Sequence, residues 1–402
     1  MSNNMRRLDT CMCCDSPDLK LILDLNTQPL ANSYKKSKEE VQEEYPLAMN
    51  VCQQCFHLQL THAVNPDLMF KNYLYVSGTS QTLRDYFDWF VGFTKEYFNH
   101  NPRTVLDVAC NDGSQLNSFK AAGFETYGID PASNLHEISS ASHTVICDYL
   151  KPVHANVFPK MDIVIAQNVL AHNANPQEFV KTISNIMHDG SLFFAQTSQA
   201  DMIRNNEFDT IYHEHQSFFQ IHSMNALAKS AGLTLIDVVR TPVHGNSFVF
   251  VLSKTRTQPA KLQNLLAMEK SAGLTNLDTY IKYGKQASKL VNHLNDTVRD
   301  MRNEGRIIVG YGAAAKGMTL LNFSQIKPDF IIDDNPLKQG LFCPGNNVPI
   351  VDIMYLGQYA NQKVCFIPLA WNFYDEIVTR IKKVRDNPDD KFVRYFPEIT
   401  IT

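Results

Sequence analysis

At 402 residues the chain is too long for one ordinary hydrophobic core, and roughly two to three domains are expected. Its 37 Lys plus Arg against 41 Asp plus Glu give a net charge of −4, which removes the positive field that draws proteins to nucleic acid or acidic membrane. With 44% hydrophobic residues, no apolar run of about 18 residues and no apolar segment ahead of a cleavage site in MSNNMRRLDTCMCC, the chain reads as globular and cytoplasmic, with small molecules as partners.

Five of the nine cysteines, Cys11, Cys13, Cys14, Cys52 and Cys55, lie in the first 55 residues. Four make two C-x-x-C pairs, Cys11 with Cys14 and Cys52 with Cys55. Each pair can turn two thiolates toward one ion, and two pairs complete a closed tetrahedral zinc site. Such a site has no open position, so its zinc is structural and supplies folding free energy to a segment, residues 1–66, too small to build a core. The long intervening stretch and the extra Cys13 leave the register open. Reduced cysteines filling a small core are the alternative; a redox pair lacks the flanking strand and helix it needs.

LRDYFDWFVGFTKEYF (83–98) carries apolar and aromatic residues at helical spacing. Beyond Pro102 the pattern changes: RTVLDVACNDG reads as a buried strand and turn, SQLNSFKAAG as a helix closed by Gly123, and FETYGIDP, MDIVIAQNVL and GSLFFAQTS as further strands. Strands alternating with helices predict a parallel, doubly wound sheet, which an antiparallel pair within 234–253 closes. A largely polar helical stretch follows from about 259 to 304, interrupted near Gly273, and RIIVGYGAAAKGMTLLNF with FIIDDNP opens a second α/β unit. The division expected is a zinc-binding module (1–66), an α/β domain with a helical lead-in (67–255), and a helical linker with a second α/β domain (256–402). Cys110, Cys147, Cys343 and Cys365 read as small core residues.

The turn after the first strand of the α/β domain, Asp107-Val108-Ala109-Cys110-Asn111-Asp112-Gly113, lacks the glycines that admit a pyrophosphate. It offers carboxylates instead, with Asp130 ending the second strand and Asp148 following the third. Asp130 suits two ribose hydroxyls, a loop carboxylate suits a cation, and Asp148 suits an adenine amino group, so S-adenosylmethionine fits the set. Each aspartate alone is as well explained by a turn or cap. The later loop, Gly310-Tyr311-Gly312-Ala313-Ala314-Ala315-Lys316-Gly317, is closer to a dinucleotide fingerprint, with Asp333 and Asp334 downstream. Backbone donors and Lys316 at a helix start suit phosphates, either of NAD or of a nucleotide-linked substrate.

IYHEHQSFF (211–219) places a tyrosine, two histidines and a glutamate in four consecutive positions. His213 and His215 are two apart, not the four that a helical zinc pair requires. A surface loop or half-buried edge is the plain alternative.

Along nearly its whole length the chain resembles the zinc-containing, S-adenosylmethionine-dependent C-methyltransferases of deoxysugar biosynthesis. The stretches that carry the likeness occur in the family's order: C-x-x-C with LDLNTQPLANSY, YPLAMNVCQQCFHLQL, NYLYVSGTS, VLDVACNDG with GIDPASNL, QNVLAHNANPQEFV, YHEHQSFF, PVHGNSFVFV, GYGAAAKGMTLLNF and DDNPLKQGLFCPGNNVPI. Ala109 and Cys110 stand where the family has Gly and Ser. The resemblance implies a zinc module, a class I methyltransferase domain with a Rossmann-like sheet, and a second Rossmann-like domain that holds the substrate nucleotide. It implies C-3 methylation of a nucleotide-linked 4-keto-deoxysugar, with structural zinc at Cys11, Cys14, Cys52 and Cys55.

Chemistry frames the roles. A sugar carbon becomes a nucleophile when a neighbouring ketone makes its proton removable, which needs a base and a donor to the enolate oxygen. The resemblance gives His215 as base, Tyr212 near the keto oxygen, Glu214 in support and Tyr75 as a further active-site tyrosine, with Tyr73 a rival for that register. Cofactor contacts fall to Asp107, Ala109, Asn111, Asp112, Gly113, Asp130, Asp148 and Asn168. Substrate contacts fall to His172, Lys316 and His244, the last equally well a turn residue beside Gly245; His213 is expected to be structural. The two bound molecules are expected to face one another, in a monomer or small homo-oligomer. An NAD-dependent reductase of a keto-sugar and a non-enzymatic zinc-finger protein are the competing readings.

Overall fold

A computed structural model describes residues 4–70, 77–79, 81–198, 201–243 and 246–402. Tyr73, Tyr75, His244 and Gly245 lie outside the described residues. Two compact units form: Met1–Lys20, Asn50–Ala200 and Glu214–Leu277 make the first, and Leu21–Met49, Asp201–His213 and Asp278–Thr402 the second. The units interleave along the chain, whereas the segments 1–66, 67–255 and 256–402 expected from sequence run in linear order.

The first unit is built on a seven-stranded sheet. Its strands are β1 (Thr104–Val108), β2 (Glu125–Ile129), β3 (Thr144–Ile146), β4 (Met161–Gln167), β5 (Met187–Ser198), β6 (Thr234–Thr241) and β7 (Ser247–Ser253). They lie in the order β3-β2-β1-β4-β5-β7-β6. The first five are mutually parallel, and β7 runs antiparallel to both β5 and β6. Continuous apolar runs explain the parallel core: Ile163, Val164, Ile165 and Ala166 are all 0% exposed, because helices cover both faces of such a sheet. The lead-in helix Gln81–Lys95 buries Phe87, Phe90, Val91 and Thr94 on one side. Chain order reverses between β1 and β4, and a doubly wound sheet takes its ligand at the carboxyl ends of the strands beside such a reversal.

The second unit has a six-stranded sheet, with β8 (Ile307–Tyr311), β9 (Phe330–Ile332), β10 (Ile350–Val351), β11 (Val364–Pro368), β12 (Lys391–Arg394) and β13 (Thr400–Ile401) in the order β10-β9-β8-β11-β12-β13. The helical stretch ahead of it is two helices, Ala260–Ser271 and Leu277–Asn303, parted at Gly273, whose φ of +78° a side chain would resist. Among the described residues no helix is long and apolar enough to cross a membrane. One expectation fails: Cys147 is exposed, not a core residue. It follows β3, a three-residue strand at the end of the sheet's order with one strand partner. Cys110, Cys343 and Cys365 are buried as expected.

Candidate active site and zinc centre

The four cysteines converge. The sulfurs of Cys11, Cys14, Cys52 and Cys55 all lie within 4.8 Å of one another, with Cys11 to Cys55 at 3.5 Å and Cys14 to Cys52 at 3.7 Å. A tetrahedron with Zn–S bonds of about 2.3 Å has edges of about 3.8 Å, so the donors fit zinc. The two knuckles repeat one local geometry. In each, the residue after the second cysteine is left-handed, Asp15 at φ +58° and Phe56 at +55°, and its amide bonds to the carbonyl of the first cysteine. In each, the amide two residues after the first cysteine donates to that cysteine's sulfur, Cys13 to Cys11 and Gln54 to Cys52, both at 3.4 Å. Cys13 is buried but outside the set, which resolves the register.

At the carboxyl end of β1 the chain turns through three left-handed residues, Ala109 at φ +65°, Asn111 at +52° and Gly113 at +80°. Asp130 shapes this turn from the end of β2: its Oδ2 accepts the Asn111 amide at 2.8 Å and its Oδ1 the Ala132 amide at 2.8 Å. Asn111 Oδ1 and Asp112 Oδ2 accept the amides of Ser77 and Gly78, both at 3.0 Å, so the segment that follows Tyr75 in sequence is tied to the same turn. Asp107 is buried, and burial pushes its pKa well up, with the charges of Asp130 and Asp112 adding to the shift. Burial also raises Asp130, against the two amides it accepts. A cation entering here would relieve carboxylates crowded away from water. Asp148, past β3, is held by Lys151 at 2.7 Å.

At the ends of β4 and β5, and in the segment that carries His215, several polar atoms have no hydrogen-bond partner among the described residues. They are Gln167 Nε2, Asn168 Oδ1, Thr197 Oγ1 and both amide atoms of Gln216, all buried. Asn168 is left-handed at φ +56°, its amide bonded to the Gln196 carbonyl at 2.9 Å. Buried polar groups are nearly always satisfied, so such a group marks where a ligand or water completes the bonding. Asn168 is among the residues expected from sequence; Thr197 is not, nor is Gln216, although Gln216 lies inside the IYHEHQSFF stretch.

Glu214 and His215 are buried in the first unit, while Tyr212 and His213 belong to the second; the boundary falls inside the motif. The backbone of Gln216 fixes the His215 segment: its amide donates to Ala171 at 2.8 Å and its carbonyl accepts from Leu60 at 3.0 Å. The rings of His215 and His172 meet edge to face at 5.0 Å, and Phe70 packs on His172 at 5.5 Å. Desolvation pushes the His172 pKa down to about 4. His213 donates from Nε2 to the Tyr45 carbonyl at 3.2 Å.

In the second unit the Gly-rich loop joins β8 to the helix Ala315–Ser324. Gly312, at φ +91°, packs so that a Cβ would stand 3.0 Å from Ala370 Cβ. Asp333 accepts the amides of Ala313 at 2.7 Å and Asn335 at 2.8 Å, which closes the turn. Lys316 sits 5.0 Å from the Trp371 ring centre, and the indole N–H donates to Asp209 at 2.8 Å. Asp209 is wholly buried; burial raises its pKa to about 6, while the Lys316 charge works the other way. The sequence reading missed Asp209 and Trp371, which are separated from the loop by about 100 and 55 residues.

Comparison with known proteins places these features. Residues 11–70 match the family described as "Putative zinc binding domain", 81–238 match "Methyltransferase domain" and 242–397 match "C-methyltransferase C-terminal domain". C-methyltransferase NovU of Streptomyces niveus is 27% identical over 99% of this chain and 98% of its own length. A ubiquinone biosynthesis O-methyltransferase of Hydrogenovibrio crunogenus is 25% identical over 45% of this chain and 81% of its own. Among solved structures, an S-adenosylmethionine-dependent methyltransferase from Clostridium acetobutylicum aligns at TM-score 0.35 and 12% identity, over 43% of this chain and 92% of its own.

Proposed function

We propose that the chain, which resembles the zinc-containing, S-adenosylmethionine-dependent C-methyltransferases, methylates carbon 3 of a nucleotide-linked 4-keto-deoxysugar. The observation that carries the reading is the buried His215, packed on His172 and fixed through Gln216 to Ala171, in the segment that follows β4. S-adenosylmethionine supplies an electrophilic methyl on a sulfonium. The residues do the rest. His215 removes the proton beside the ketone, and Tyr212, three residues earlier, donates to the oxygen that becomes charged. Glu214 supports that pair, and Tyr75 is proposed as a further tyrosine of the site.

In the first domain Asp130 takes the ribose hydroxyls with the lone pairs that its two amide bonds leave, and Asp107 and Asp112 stand for the cationic end of the cofactor. Ala109, Asn111 and Gly113 present backbone to it; Asp148 is assigned to the adenine amino group and Asn168 to the methyl side. His172 is assigned to the sugar, as is His244. Lys316 and the amides at the start of the helix Ala315–Ser324 hold the nucleotide diphosphate, which gives the Gly-rich loop a role without NAD.

Mass spectrometry of products from GDP- and dTDP-linked 4-keto-6-deoxysugars with S-adenosylmethionine tests the proposal. A gain of one methyl supports it. Unchanged sugars across the panel, or a reduced sugar formed with NADH, would overturn it.

A further inference from the structure

The two cysteine knuckles each send one side chain to the same hydroxyl. Met12, inside the first knuckle, accepts the Ser217 hydroxyl at its sulfur, 3.8 Å away. His57, two residues beyond Cys55, has Nε2 3.1 Å from the Ser217 oxygen. When the Nε2–H of a neutral His57 donates to the Ser217 oxygen, the hydroxyl proton is left for the Met12 sulfur. That tautomer leaves Nδ1 a bare acceptor, and Nδ1 is the ring atom buried without a partner among the described residues. A buried orphan acceptor is more readily tolerated than a buried orphan N–H.

The surrounding backbone runs the same way. Ser217 pairs with Gln59 and Phe218 with Leu58 in an antiparallel ladder only two residues long on the Ser217 side, too short to hold itself. Gln59 is tied back to the first knuckle, accepting the Met12 amide at 2.8 Å and donating to the Thr10 carbonyl at 3.0 Å. The His57 ring packs on Phe219 at 4.9 Å. Ser217 itself is 0% exposed.

We propose that Ser217 is a positioning residue through which the cysteine knuckles fix the backbone that carries His215. The inference rests on the reading of His215 as the base. With zinc on the four thiolates both knuckles would be held rigid, so that Met12 and His57 meet Ser217 in one geometry and His215, two residues upstream, inherits it.

The test uses the zinc-loaded full chain with Ser217→Ala, His57→Gln and the two combined. Zinc content, thermal midpoint, amide hydrogen exchange, kcat, KM and the acid limb of the pH profile are read for each. In Ser217→Ala we expect one zinc per chain, exchange of the 214–218 amides faster by about tenfold with other segments unchanged, and kcat lower by about tenfold at unchanged KM. The double variant is expected to be no worse than the more impaired single one. Wild-type exchange at 214–218 with wild-type kcat overturns the coupling, and it does so independently of the base assignment, which is tested by His215→Ala. Should Ser217→Ala fail to fold, Met12→Leu removes the sulfur acceptor at similar volume, with the same expected and contrary results.

Discussion

The imidazoles of His172 and His215 meet edge to face at 5.0 Å, while the amide of Gln216 ties the second to the carbonyl of Ala171 beside the first. His172 has its pKa held near 4 by desolvation, so it is deprotonated and uncharged throughout pH 5 to 9. It cannot supply the acid limb of an activity profile in that range. His172→Asn is expected to lower kcat while leaving the acid limb of kcat/KM where it stands. His215→Ala is expected to abolish methyl transfer and retain S-adenosylmethionine affinity in calorimetry. Loss of the acid limb in His172→Asn would reverse the two roles.

Lys316, Trp371 and Asp209 form a chain of contacts in the second unit, with the ammonium over the indole and the indole N–H on the carboxylate. Since burial raises Asp209 to about 6, it is neutral below that pH and anionic above it. The charge that appears as pH rises through 6 offsets that of Lys316, so affinity for a nucleotide-linked sugar, whose diphosphate has no proton to lose in that range, should fall by a few-fold, roughly 1 kcal/mol, across that step. Calorimetry at pH 5 and 7 checks this, and Asp209→Asn should flatten the difference. Lys316→Ala should raise KM for the nucleotide sugar more than it lowers kcat, because a phosphate grip is felt in ground and transition states alike. An equal loss in kcat at unchanged KM would contradict that role.

The zinc set makes a sharp distinction among neighbouring cysteines. Cys52→Ser should lose the metal and much of the stability of the N-terminal segment, since the segment's folding free energy is coupled to zinc binding. Cys13→Ala should keep one zinc per chain, because its sulfur is outside the cluster. Metal analysis beside a thermal melt reads both, and loss of zinc from Cys13→Ala would refute the assignment.

Ala109 carries a side chain at φ +65°, where an L-residue other than glycine is disfavoured. Ala109→Gly removes that strain, partly offset by the extra freedom glycine gains when unfolded. The net expectation is a gain of about 1 kcal/mol in urea unfolding. A destabilised variant would show that the Ala109 methyl makes packing contacts that outweigh the strain.

Much of this was legible in the sequence because the signals were local. The buried strands β1, β2, β4 and β5, the pair β6 and β7, and the helix break at Gly273 follow from apolar runs and turn residues close in the chain. The cysteine pairs were readable for the same reason. What escaped depends on distance. Asp209 acquires its environment from Trp371 and Lys316, far along the sequence, and no spacing rule links them. Gln216 and Thr197 stand out through buried atoms without partners among the described residues, a property of three-dimensional packing. Cys147 looked like a core cysteine until its strand proved to be three residues at the end of the sheet. The interleaving of the units, with residues 21–49 and 201–213 in the second, is likewise invisible to periodicity.

The most direct test of the account is the fate of a carbon-13 methyl label. Wild-type protein, S-adenosylmethionine labelled in its methyl group and a nucleotide-linked 4-keto-6-deoxysugar should yield a product whose labelled methyl shows carbon–carbon coupling to the sugar ring in NMR. His215→Ala should yield none. A label found on oxygen, or on no sugar at all, would contradict transfer to carbon.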